Sequence, residues 1–306
     1  MKSRRQFIGQ SLTGLFVSAT GGFPWSAYQD DPSLTRLTIL HTNDMHSRID
    51  SFPMDGGRNQ GQGGVAKRSA LINKIRQEGN HVILLDSGDI FQGTPYFNFF
   101  GGEVEFKSMS HMGYDAATIG NHDFDGGMIG FNKQLAHANF DFVCSNYDFS
   151  DTLLSEATKN HKVIQRGNLK IGILGLGIEL KGLVPPNLYG NTQYMDPVSY
   201  AQKEASILKH ELGCDLVICL SHLGYKYRSN TISDVYLAEN REDIDLILGG
   251  HTHTFLDKPV IYENSRGHEV MVSQAGWAGI LLGRIDIVFE KNRINKCVYC
   301  NNIVIN

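Results

Sequence analysis

Five short polar runs punctuate this 306-residue chain in fixed order: Asp44-Met-His46, Gly88-Asp89, Gly120-Asn121-His122-Asp123, Ser221-His222 and Gly250-His251-Thr-His253. Each follows an apolar segment of strand-like length. Open α/β sheets gather such residues at the carboxyl ends of their strands, so the order constrains the fold and the site together.

The intervening segments supply the rest of the pattern. Leu37 to Leu40, Val82 to Leu85, Ala116 to Ile119 and Phe142 to Cys144 read as buried strands. Between them, Gly64 to Gln77, Glu103 to Met112 and Met128 to Ala138 carry apolar residues at helical spacing. A second cycle begins with Val163 and with Ile171 to Leu176, a hairpin edge running into the core. It continues through helix Tyr200 to Leu212, strand Leu216 to Leu220, helix Ser233 to Asn240 and strand Leu246 to Leu248. From Val260 onward strand follows strand, through Val270 to Ser273, Ile280 to Phe289 and Lys296 to Val304. Two β-α stretches and a β-rich end predict two packed mixed sheets with helices on both outer faces.

Composition narrows the class. With 41% hydrophobic and 20% charged residues, the chain is ordinary globular protein and fits one large domain over 34–306. No run of ~20 apolar residues is present, so no permanent transmembrane segment is expected. The opening Ser3-Arg4-Arg5-Gln6-Phe7-Ile8 and the weakly apolar Gly/Ser/Thr-rich run to Phe23 read as a twin-arginine export signal over residues 1–30. The alternative is a frayed basic N-terminus. Export predicts a periplasmic or secreted protein whose mature chain begins between Tyr28 and Ser33. Cutting before Asp30 removes Lys2, Arg4 and Arg5 and takes the net charge from −4 to −7. So acidic a chain is a poor ligand for a nucleic-acid polymer, whereas a small phosphate ester remains compatible.

Five cysteines are an odd number. Cys144, Cys214 and Cys219 lie in or beside apolar runs and read as buried small hydrophobes. Cys297 and Cys300 have the spacing of a redox or zinc pair without its usual context, which leaves a disulfide between them open.

The five runs mix hard oxygen donors with imidazoles, a set suited to two divalent ions of zinc, manganese, iron or cobalt. Asp44, His46 and His253 would complete one site, and Asn121, His222 and His251 the other. Asp89 would bridge them. His251 and His253 are expected on one face of an extended segment. With ions ~3.5–4 Å apart, a shared water becomes a hydroxide nucleophile near neutral pH. His122 should point into the substrate space beside Asn121, to hydrogen-bond the phosphoryl group or protonate the leaving oxygen. Asp125 would hold its other ring nitrogen. A lone Asp-x-His or His-x-His is more often a surface cluster, and Gly-Asp a turn, so the weight rests on the ordered set. His41 reads as a packed residue. His81, His111, His137, His161, His210 and His268 read as solvated. Tyr96-Phe-Asn-Phe-Phe100 reads as core rather than site lining.

Leu40-His-Thr-Asn-Asp-Met-His46, Asp86-Ser-Gly-Asp89, Gly120-Asn-His-Asp-Phe-Asp125, Ser221-His-Leu-Gly224 and Gly250-His-Thr-His253 resemble the blocks of 5′-nucleotidase-type calcineurin-like metallophosphoesterases. The resemblance runs from Thr35 to the end of the chain. It implies a four-layer αββα sandwich, a bimetal site as assigned above, and His122 with Asp125 as the catalytic dyad. It also implies nucleoside monophosphates, or related phosphate esters including cyclic phosphodiesters, as substrates. Members of that family carry a second, C-terminal nucleotide-binding domain, which is not expected within these 306 residues. Three expectations follow. A separate polypeptide supplies that domain, or the site is a broader phosphatase with the Ser51 to Gly63 loop as partial lid, or the chain is a metal-binding subunit active only with its partner.

Overall fold

A computed structural model describes residues 34–229, 231–290 and 293–306, so the export-type N-terminus lies outside the described residues. Alternation decides the layering. In β1 (Leu34–Thr42) Leu37 and Ile39 face one side and Leu40 the other, and all three are buried. Strands buried on both faces belong to a sheet covered on both sides.

Strands β2 (His81–Asp86), β3 (Ala116–Ala117), β4 (Asp141–Val143) and β6 (Thr158–Lys159) extend outward from β1 in parallel. On its other side β1 pairs antiparallel with β14 (Leu281–Glu290), which pairs with β15 (Arg293–Val304). Among the described residues this makes a seven-stranded mixed sheet. The second sheet has six strands. Its parallel centre is β8 (Leu169–Leu176), β10 (Leu216–Ser221), β11 (Leu246–Gly249) and β13 (Glu269–Ser273). Antiparallel edges β7 (His161–Arg166) and β12 (Val260–Glu263) close it. A short ribbon joins β5 (Tyr147–Asp148) to β9 (Gln193–Tyr194).

The two sheets pack face to face through Ile39, Ile83, Leu85 and Ile285 from the first and Ile171, Ile173, Ile218 and Leu248 from the second. Each such side chain contributes roughly 1.5–3 kcal/mol of burial, so this apolar interface is a main source of stability. Helices α1 (Val65–Arg76), α2 (Pro95–Phe100), α3 (Glu103–Met112) and α4 (Gly127–Gln134) lie on the first sheet's side, where Ile72, Phe106 and Phe131 meet Leu40, Leu84 and Phe142. After the single turn α5 (Pro186–Tyr189), α6 (Pro197–Ser206) and α7 (Asp234–Asn240) cover the second sheet through Ala201, Ala205 and Leu237. The four-layer αββα arrangement expected from the sequence is the one found.

Several expectations need correction. The helix expected over Tyr200 to Leu212 ends at Ser206 and passes into a π-helical turn, Ile207–Glu211. The helix expected over Met128 to Ala138 tightens into a 3₁₀ turn at Leu135–His137. The Tyr96 to Phe100 cluster is core only in part. Thr94 and Pro95 start α2, whose Phe97 packs against the buried Phe91 with centroids 5.4 Å apart while Phe99 is 80% exposed. His161 is not solvated on a loop. It opens β7 and bonds through Nδ1 to the buried Glu204 carboxylate at 2.6 Å. Cys144, Cys214 and Cys219 are buried and free, as expected, and Cys300 is disulfide-bonded.

Candidate metal centre

All of the candidate ligands lie just past strand ends at one edge of the sandwich. Asp44 and His46 follow β1, Asp89 follows β2, Asn121 follows β3, His222 follows β10, and His251 and His253 follow β11. Two loops approach closely to form the centre. A Cβ on Gly120 would lie 2.2 Å from Asp89 Oδ1, so only glycine lets the β3 loop meet Asp89.

The backbone is held in uncommon conformations. Asp44, His46, Asp89, His251 and His253 all have positive φ, between 47° and 69°. Non-glycine residues rarely adopt this region, and its clustering at one site marks a constellation stabilised by its surroundings. His251 and His253 therefore do not share an extended face, as their spacing suggested. Each is turned separately, and they serve different groups.

One group consists of Asp44, His46 and His253, the other of Asp89, His222 and His251, with the ligand atoms of each within 4.8 Å of one another. His253 Nε2 lies 3.0 Å from His46 Nε2 and 3.3 Å from Asp44 Oδ1. Asp89 Oδ2 is 3.1 Å from His222 Nε2 and 3.9 Å from His46 Nε2, which sets it between the two groups. Asn121 Oδ1 joins the second group, 2.9 Å from His251 Nδ1.

Outer contacts fix these side chains. His46 Nδ1 lies 3.1 Å from the Gln92 carbonyl, and His222 Nδ1 lies 2.6 Å from the Ser87 carbonyl. The backbone N–H of His251 donates to the Asp44 carboxylate, as does the Asn43 carboxamide. Asp123, fully buried, accepts from the N–H groups of Asp89, Ile90, Phe91 and Gly120 at 2.8 to 3.1 Å. Sequence reasoning gave Asp123 no role, yet it shapes the loop that carries Asp89. Trp277 was also missed. Its ring lies parallel to that of His253, centroids 5.7 Å apart.

Electrostatics follow from burial and charge. Burial opposes charge on Asp89, but the adjoining His222 and His46 hold its carboxyl well below the usual range. Burial drives the His251 imidazole down to about 4, which keeps it a neutral donor. His122 is raised, chiefly by its 2.9 Å Nδ1 contact with Asp125 Oδ2. Its ring is the more open of the pair, at 42% side-chain exposure.

These residues fit a pair of divalent cations. The nitrogens of His46 and His253 converge with a carboxylate oxygen on one point, where a cation satisfies all three. His222 Nε2 is buried without a hydrogen-bond partner and faces Asp89. Carboxylate, carboxamide and imidazole donors without thiolate are the chemistry of a catalytic rather than a structural site.

The chain matches the calcineurin-like phosphoesterase family over residues 37–255. It belongs to this family of hydrolytic enzymes, whose members use a divalent metal pair. Among curated relatives it is 36% identical over 275 residues to the snake venom 5′-nucleotidase of Gloydius brevicauda, covering 83% of this chain and 45% of that protein. It thus spans about half the length of the curated relatives it matches. Among solved structures, the 5′-nucleotidase precursor of Thermus thermophilus superposes with a TM-score of 0.78 at 29% identity, over 88% of this chain and 54% of that one. The NAD nucleotidase of Haemophilus influenzae gives a TM-score of 0.77 at 25% identity, over 89% and 56%.

Proposed function

We propose that the protein is an exported bimetal phosphohydrolase of 5′-nucleotidase type, acting on nucleoside monophosphates or related phosphate esters. The observation that carries this reading is the His122–Asp125 contact beside the two ligand groups. A metal-binding module has no use for a partly exposed imidazole held in one orientation at the rim of its metals.

Bound divalent ions supply an acidified water as nucleophile and neutralise phosphoryl charge. Asp44, His46 and His253 would hold one ion and Asn121, His222 and His251 the other, with Asp89 available to both. Asn121, with Oδ1 turned to His251, keeps its Nδ2 for a phosphoryl oxygen. His122 presents Nε2 to the substrate while Asp125 fixes Nδ1. The raised pKa keeps the ring protonated closer to neutral pH, where it donates to the phosphoryl group or to the departing oxygen.

The likeness to an NAD nucleotidase supports a second reading, attack on phosphodiester or pyrophosphate bonds by the same centre. Phosphate release from 5′-AMP and an aryl phosphate, beside hydrolysis of NAD and of a cyclic nucleotide, separates the two. Preference for the monoesters supports the first reading, and preference for NAD or the cyclic ester the second. Inertness towards all four with every metal overturns both.

Export is proposed from the Ser3 to Ile8 pattern. No helix among the described residues is long and apolar enough to cross a membrane. Cell fractionation, with Arg4 and Arg5 changed to Lys as control, tests the route. Retention of the double variant inside the cell is the expected result.

A further inference from the structure

Among the ligand histidines, His46 and His222 each have Nδ1 set against a backbone carbonyl. Ligating imidazoles usually have such an oxygen partner on the nitrogen that does not bind metal, and it fixes tautomer and ring plane. His253 Nδ1 has none among the described residues, since the polar contacts of this ring run through Nε2. The ring is also the open side of its group, with 40% of its side chain exposed against none for Asp44. Among the described residues its polar contacts are thus confined to the metal-facing Nε2.

An aromatic stack holds the ring plane instead. The Trp277 indole lies over the His253 imidazole with 8° between planes. Trp277 is itself held. Phe52 meets it edge-on at 6.0 Å, the Arg48 guanidinium lies 4.3 Å from the Phe52 ring centre, and Ala275, Ile280 and Leu281 pack beneath. The next residue, Ala278, donates its N–H to the Asp44 carbonyl at 2.7 Å, tying the Trp277 segment to a second ligand of the same group.

We infer that Trp277 is a positioning residue for one of the two metal sites, its indole taking the place of the hydrogen-bond acceptor that His253 lacks. The inference rests on the bimetal reading above. It assigns the sites unequal dependence on their surroundings. The Asp89–His222–His251 group is clamped by hydrogen bonds, whereas the Asp44–His46–His253 group relies at its open corner on a stack. Arg48, just before the Ser51 to Gly63 loop, and Phe52, at its start, thereby act on the metal centre through Trp277.

The test uses the full chain, stripped of metal and titrated with Co²⁺, followed by calorimetry and by tryptophan fluorescence. Wild type should bind two equivalents, with Trp277 emission quenched as the adjacent site fills. Trp277→Ala should lose about 10- to 100-fold in affinity at one site and keep the other. Trp277→Phe should restore affinity while abolishing the quench. Trp277→Leu, which keeps apolar cover without a ring, should behave as Trp277→Ala. Two wild-type affinities in Trp277→Ala, or full restoration by leucine, would overturn the inference. Failure of wild type to bind Co²⁺ would instead overturn the bimetal reading beneath it. Thermal melting of each variant separates unfolding from site loss, and Trp277→Phe carries the test if the alanine variant does not fold.

Discussion

The backbone N–H of His122 donates to Asp89 Oδ1 at 2.7 Å, while Asp89 Oδ2 faces both ligand groups. One carboxylate thus ties the proposed His122–Asp125 dyad to the candidate metal centre. The imidazole is placed by the same residue that the proposal uses to hold the ions.

Asp89→Asn should therefore cost both metal and rate. It removes the negative oxygen between the two groups while keeping shape and the His122 hydrogen bond. Metal analysis after dialysis should show less than one ion per chain retained, against about two in wild type. Two tightly held ions in the variant would mean that Asp89 does not bridge.

His122→Ala should separate binding from chemistry. Its ring meets that of His46 only edge-on, with centroids 5.3 Å apart, and belongs to neither ligand group, so metal content should stay near the wild-type level. The rate should fall about 10²- to 10⁴-fold, the range for loss of a positioned proton donor. Asp125→Asn should give a smaller loss, since the ring stays but its orientation slackens. Full rate in His122→Ala would remove it from the mechanism.

Asp123→Ala tests the hidden support of the centre. Four buried N–H groups would lose their acceptor, each at about 1–3 kcal/mol unless water enters. A net loss of roughly 3–5 kcal/mol in urea unfolding is expected, at the severe end for single substitutions. An unchanged midpoint would show that the Asp89 loop holds itself.

Asp141 gives a pH-dependent prediction away from the metals. Partial burial raises its pKa, but hydrogen bonds from Lys159 at 2.8 Å and Lys162 at 2.7 Å outweigh this and leave it lowered. A lowered carboxyl stabilises the fold above its unfolded pKa, and that contribution disappears as pH falls through the folded value. Asp141→Asn should lower stability at pH 7 by at most about 1 kcal/mol, because the site is partly exposed and screened. Melting curves should show the difference vanish in acid. A difference that grows on acidification would contradict the assignment.

The candidate ligands were legible because each is a strongly polar residue placed directly after an apolar strand, and because five such breaks recur in one order. The structure draws Asp44, His46 and His253 into one group and Asp89, His222 and His251 into another, with Asn121 beside the second. What escaped depends on space rather than spacing. Asp123 lay inside a recognised run, but three of its four amide partners, those of Asp89, Ile90 and Phe91, become neighbours only when the β2 and β3 loops meet. Trp277 acts through a ring plane, for which sequence has no signal. The His251–His253 pair looked extended because its alternation is that of a strand, while the left-handed turns are imposed by the packed loops around it. The Tyr96 to Phe100 cluster misled in the opposite sense. Aromatic density suggested burial, but a helix set off by Thr94 and Pro95 turns Phe99 to solvent.

On the proposed reading, two ions held by this chain's own residues are needed to release phosphate. The most direct measurement is phosphate release from 5′-AMP by metal-free protein titrated with Mn²⁺. Activity should rise until two equivalents are bound, vanish with chelator, and return when metal is restored. Hydrolysis that persists in metal-free protein, or saturates at a single equivalent, would contradict it.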